Sequence, residues 1–123
     1  MRILYVEEHA ESCELLALWL SPLGYEVVSA NSVSDGLRLA RGGAFIVYIL
    51  SGRLSDGTGL DLCRQIRMFD SNTPIIFYSA LTRDSDMAAA ITAGAQAYLK
   101  LPNDFDRIEP TIRVLVKGRA APE

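Results

Sequence analysis

Short apolar runs alternate along the chain with longer stretches in which apolar residues recur at helical spacing. Ile3-Leu4-Tyr5-Val6 is an unbroken apolar run that ends in two acids, the pattern of a buried strand. Ala10 to Leu23 follows, with Cys13, Leu16, Leu20 and Leu23 on one helical face and Glu11 and Glu14 off it. Pro22-Leu23-Gly24 closes that helix. Tyr25-Glu26-Val27-Val28-Ser29 mixes apolar and polar residues as an edge strand does. Asn31 or Ser32 then caps a second helix that carries Val33, Leu37 and Ala40 and stops at Gly42-Gly43.

The pattern repeats in the second half. Phe45 to Leu50 is the most apolar run and is expected as the central strand, followed by a polar loop from Ser51 to Thr58. Leu60 to Phe69 places Leu62, Ile66 and Phe69 along one helical face. Pro74 to Tyr78 reads as a fourth strand, with proline at its first residue, where a missing N–H is tolerated. Asp84 or Ser85 caps a fourth helix with Met87 and Ile91 turned inward, ending at Gly94. Ala97-Tyr98-Leu99 is a short fifth strand. Ile108, Ile112, Leu115 and Val116 mark the last helix, with Pro110 early in it. Five strands alternating with five helices predict an α/β fold, a doubly wound five-stranded parallel sheet covered by helices on both faces. Residues 1–118 are expected to form the domain and 119–123 a flexible tail or linker stub. Ligands in such sheets sit at the carboxyl ends of the strands, which singles out Glu7, Glu8, Ser51 to Arg53, Ser79, Ala80 and Leu99 to Pro102.

Composition narrows the function classes. With 123 residues the chain fits one domain, and 50% hydrophobic against 22% charged residues argues for a packed core over disorder. Twelve Lys and Arg against 15 Asp and Glu give a net charge of −3, which speaks against direct nucleic-acid binding. No apolar run reaches the ~18–20 residues of a membrane span, and carboxylates follow Val6 too soon for a signal peptide. The expected location is the cytoplasm. Cys13 and Cys63 read as small core residues, and with His9 the only histidine a zinc site is nearly excluded.

Four stretches together resemble the receiver domain of bacterial two-component response regulators: Ile3 to Glu8, Gly59 to Arg67, Pro74 to Ala80 and Gly94 to Pro102. The resemblance covers residues 2 to about 117 and implies a flavodoxin-like fold of receiver type. Receivers carry a phosphoacceptor aspartate eight residues before the glycine that opens the third helix; counting back from Gly59 reaches Ser51. Their pocket lysine immediately precedes the proline after the fifth strand, and here that position is Leu101, with Lys100 one place early and so on the opposite face. By the same resemblance, Glu7 and Glu8 hold the places of the magnesium-binding acids, Ser79 that of the switch hydroxyl and Tyr98 that of the switch aromatic. No metal or other cofactor is expected, because the carboxylate at Ser51 is missing; Mg²⁺ would enter only if the pocket still worked, with Glu8 the candidate ligand.

Individual residues carry competing readings. Arg53 either neutralises the two glutamates or lies in solvent, and His9 is expected as a solvated loop residue. Ser51 helps a partner dock or fills a disused site, and Asp56-Gly57 is first a turn. Trp19 marks a partner surface or the edge of the core. The expected function is a non-enzymatic, receiver-like module in two-component phosphorelay signalling. It would work by protein–protein contact or by dimerisation through the fourth helix, fifth strand and fifth helix. A sensor kinase or an output protein is the expected partner, with neither nucleic acid nor membrane contacted directly. The alternative is a phosphorelay receiver phosphorylated at an atypical residue, Ser51 or Asp56. A flavodoxin-type small-molecule binder is disfavoured, since the acidic loop after the first strand lacks the Ser, Thr and Gly that cradle phosphate.

Overall fold

The first apolar run forms β1 (Arg2–Val6), which pairs in parallel with β2 (Glu26–Ala30) on one side and β3 (Val47–Leu50) on the other. The structure, a computed structural model, describes residues 1–119. Within the polar loop after β3, β4 (Arg53–Leu54) and β5 (Gly57–Thr58) make a small antiparallel ribbon turning at Asp56. The main sheet is completed by β6 (Ile75–Ser79) and β7 (Ala97–Lys100), and its strand order is β2-β1-β3-β6-β7. All its pairings are parallel, so each connection crosses over through a helix. The helices are α1 (Ala10–Leu20), α2 (Val33–Gly42), α3 (Gly59–Arg67), α4 (Asp84–Ala93) and α5 (Ile108–Arg119).

Alternation along the strands divides the interior in two. Leu4, Val6, Tyr48, Leu50, Ile75 and Phe77 face one way, against Val33 and Ala40 of α2, Leu62, Cys63 and Ile66 of α3 and Ala90 of α4. Ile3, Tyr5, Val47, Ile49, Ile76 and Tyr78 face the other way, against Leu16 and Leu20 of α1 and Ile108 and Ile112 of α5. Each fully buried Leu or Ile among them contributes about 1.5–3 kcal/mol relative to exposure.

Several elements begin or end elsewhere than the pattern suggests. Leu23, expected on the buried face of the first helix, is exposed, because Pro22 converts the end of α1 into a 3₁₀ turn that stops at Gly24 with φ of 95°. Phe69 lies beyond the end of α3 and is exposed, with the Arg41 guanidinium 5.5 Å from its ring centroid. On α4 it is Ala90 that enters the core, while Ile91 is 51% exposed, because the helix turns its alanine face towards the sheet and α3. Asp84 is already helical, and the carboxylate of Asp86 accepts from the Arg83 N–H at 3.1 Å to close that end. The last helix continues through Arg119, the first residue of the expected tail, and residues 120–123 lie outside the described residues.

The far end of α4 is tied down by Arg67. Its Nε and Nη2 both donate to the Gly94 carbonyl, at 3.1 and 2.8 Å, while Nη1 donates to the Asp70 carbonyl at 2.9 Å. Nη2 also reaches Gln96 Oε1 at 2.9 Å, an oxygen that in turn accepts from the Ile75 N–H. Gly94 has φ of 117°, and a Cβ there would lie 2.9 Å from the Arg67 side chain.

Candidate functional site

Three backbone hydrogen bonds extend the ladders one residue past the strands and fix what stands at their carboxyl ends. Glu7 N–H donates to Ala30 O, Ser51 N–H to Val6 O and Leu101 N–H to Ser79 O, at 2.9, 3.0 and 2.9 Å. A cleft of about 350 Å³ opens there, lined by Glu7, Glu8, His9, Ser12, Ser51, Arg53, Ser79, Ala80, Leu81 and Leu101. Most of the residues singled out in the sequence therefore converge in one place. Tyr98 lies just behind, and Lys100 is exposed and absent from the cleft wall.

The two glutamates part company at the end of β1. Glu7 is 3% exposed whereas Glu8 faces solvent. Glu7 Oε2 accepts from the His9 N–H at 3.0 Å and lies 2.8 Å from His9 Nδ1. That hydrogen bond, and then the carboxylate's charge, raise the imidazole pKa above its ordinary value. His9 is thus exposed as expected but serves as the counter-group of Glu7. Arg53 does not fill that role, since no ion pair within 4.0 Å involves it among the described residues. His9 wins by proximity: two residues along the same turn, it needs no reach across the cleft. The sequence offered one signal of this, a lone cationisable side chain directly after the acids.

Ser51 is buried, and its hydroxyl donates to the Arg53 carbonyl at 3.3 Å. The neighbouring Gly52 is required by packing, because a Cβ there would stand 2.3 Å from Ser79 Oγ and 2.9 Å from Leu81 Cδ1. Ser79, 2% exposed, uses its Oγ to accept from the Leu81 N–H at 3.0 Å. The Leu81 carbonyl in turn accepts the Tyr98 hydroxyl. Burial pushes the Tyr98 phenol pKa up, and its ring stacks on Phe77 with centroids 5.6 Å apart. Leu81 therefore joins Ser79 to Tyr98, a link the sequence reading missed because both contacts are made by its backbone.

Asp56 lies outside the cleft. Its two oxygens accept from Val33 N–H at 2.8 Å and Ser34 N–H at 3.1 Å, while Ser32 Oγ accepts from Asp35 N–H at 3.1 Å. The N–H groups that a helix start leaves unpaired are thereby satisfied from two sides. Those bonds, led by the one from Val33, lower the Asp56 pKa.

A family model described as the response regulator receiver domain matches residues 3–113. The chain belongs to that family. Among its relatives, the response regulator ArlR of Staphylococcus epidermidis is 32% identical over 115 residues, 94% of this chain and 52% of ArlR. The transcriptional regulatory protein ZraR of Salmonella typhimurium is 30% identical over 110 residues, 89% of this chain and 25% of ZraR. The receiver thus spans between a quarter and about half the length of these curated relatives. A two-component response regulator from Clostridium difficile superposes with a TM-score of 0.93 at 21% identity, covering 98% of this chain and 99% of the other, which establishes the shared fold.

Receivers typically bind Mg²⁺ at this site. In this receiver Glu7 Oε2 is turned onto His9, and where the sequence reading places the family's third carboxylate stands Ser51, its hydroxyl turned onto the Arg53 carbonyl. Among the described residues no three His, Cys, Asp or Glu side chains come together to hold a metal. Also among the described residues, no helix is long and apolar enough to cross a membrane.

Proposed function

We propose that this receiver signals by protein contact, without aspartyl phosphorylation, in a two-component pathway whose other members are a sensor kinase or an output protein. One observation carries the reading: the acceptor position holds Ser51, its hydroxyl turned to the Arg53 carbonyl, and the lysine position across the cleft holds Leu101. A serine hydroxyl must lose its proton to attack phosphorus, and the position of the lysine that would stabilise the transferring oxygens carries an apolar side chain, Leu101. Asp56 is a poor substitute acceptor, because both its oxygens are engaged at the start of α2. The site so read is regulatory and not enzymatic.

Self-association through α4, β7 and α5 belongs to the same proposal. Ile91 on α4 and Val114 on α5 are 51% and 70% exposed, and they supply apolar contact area there. Incubation with acetyl phosphate and Mg²⁺, followed by intact-mass measurement, tests the first part; the expected spectrum has no phosphoryl adduct. Analytical ultracentrifugation tests the second: association that is weakened by Ile91→Lys is expected, and a monomer at every concentration would overturn it.

A further inference from the structure

Behind the Gly52–Arg53 backbone lies a second cavity of about 310 Å³, separate from the cleft at the strand ends but sharing Arg53 and Leu81 with it. Leu60 of α3, Phe77 of β6, Tyr98 of β7 and Ala89 and Ala90 of α4 make its lining largely apolar. Ala89 and Ala90 present only methyl groups at this wall, and that leaves the space open; a longer side chain there would fill it. Two charges of opposite sign also stand in the lining, Arg53 from β4 and Asp86 from α4, beside Thr58 at the start of α3. They do not neutralise one another, since no ion pair within 4.0 Å joins them. Asp86 Oδ2 accepts from the Arg83 N–H, which leaves Oδ1 open to another donor.

We propose that this cavity binds an apolar α-amino acid as its zwitterion. The carboxylate pairs with Arg53, the ammonium with Asp86, and the side chain enters the space bounded by Phe77, Tyr98 and the α4 alanines. The volume falls within the range of small-ligand sites, which combine an apolar lining with a few placed polar groups. A simple anion would meet repulsion from Asp86, and a simple cation would meet repulsion from Arg53; a ligand carrying both charges satisfies both. Leu81 connects the ligand to the neighbouring cleft, because its N–H is held by Ser79 and its carbonyl by Tyr98. Occupancy would brace this segment and set the Tyr98 position. Its role as an input in place of a phosphoryl group rests on the phosphorylation-independent reading given above.

The test is an NMR titration of the isotope-labelled protein with L-phenylalanine, phenylacetate and phenethylamine. Saturable shifts centred on Gly52, Leu81, Ala89 and Tyr98 are expected with phenylalanine, and each half-ligand should bind about tenfold more weakly. Arg53→Gln and Asp86→Asn should each weaken phenylalanine binding by about the same factor, and Ala89→Leu should abolish it by filling the space. Absence of saturation, equal binding of either half-ligand, or shifts that survive Ala89→Leu would overturn the inference. Acetyl phosphate labelling of the unliganded protein is read separately. An adduct there refutes the phosphorylation-independent reading and leaves the binding result standing, whereas no adduct and no binding refutes the amino-acid site alone.

Discussion

Asp70 stands in the turn after α3, where one carboxylate organises a whole connection. Its oxygens accept from Tyr48 Oη at 2.8 Å, Thr73 N–H at 3.0 Å and Asn72 N–H at 3.1 Å. Partial burial works against its charge, but these hydrogen bonds outweigh burial and hold the pKa at about 2. A folded pKa below the unfolded one means that the stabilisation is full at neutral pH and is lost as pH falls through about 2. Tyr48→Phe should raise the Asp70 pKa and cost about 1.5–3 kcal/mol, the worth of a hydrogen bond to a charged group. Carboxyl-carbon NMR titration and urea unfolding check the two halves of that statement. Asp56 behaves alike in sign: Asp56→Ala should lower the thermal midpoint at neutral pH and lower it less as pH falls below the usual carboxylate range, where the wild-type cap is itself being protonated. An unchanged midpoint would show that α2 does not depend on this cap. The Asp56 role was not legible in the sequence, where Asp56-Gly57 reads as a turn, because it caps a helix more than 20 residues away, and the Asp70 contact to Tyr48 likewise spans 22 residues.

Among the elements, the sheet strands and helices were legible because each is long enough to display its period. The β4–β5 ribbon was not: two residues cannot show an alternation, and its pairing of Arg53 with Thr58 and Leu54 with Gly57 lies inside a polar loop. The acceptor and lysine positions were assigned from the resemblance to receivers, by counting from Gly59 and Pro102, whereas the His9–Glu7 contact depends on how the turn after β1 folds back. Glycine spacing also carried more than a counting frame. A Cβ on Gly59 would stand 2.0 Å from the Ser51 carbonyl oxygen and 3.0 Å from Phe77 Cε2, so α3 starts hard against the end of β3. Gly59→Ala should therefore cost about 1–3 kcal/mol, the usual penalty of overpacking, and shift the Ser51 and Gly52 amide signals. A stable variant with unmoved signals would show that α3 has room to retreat.

For the molecule as a whole, the phosphorylation-independent reading proposed above implies that aspartyl chemistry would have to be built onto this frame. Ser51→Asp restores a nucleophile, but groups that act as one catalytic unit are strongly non-additive. Ser51→Asp alone should label slightly with acetyl phosphate, and Ser51→Asp with Leu101→Lys clearly. Equal labelling of both would show that Leu101 is not the block, and labelling of neither would place the fault in the loop backbone. Around that site the frame is unevenly braced. The Arg67 guanidinium clamps the Gly94 end of α4 to α3, to Asp70 and, through Gln96, to β6, whereas the contacts at the Arg83 end, the Asp86 carboxylate on the Arg83 N–H and the Asp86 and Met87 N–H groups on the Arg83 carbonyl, stay within its own turn. The helix is therefore a lever with its fulcrum far from the cleft and its free arm beside Leu81 and Tyr98. Whatever presses on that arm moves the near end most and leaves the clamped end still. Hydrogen exchange along α4 should fall from the Asp84 end toward Gly94, and Arg67→Ala should flatten the gradient by freeing the pivot.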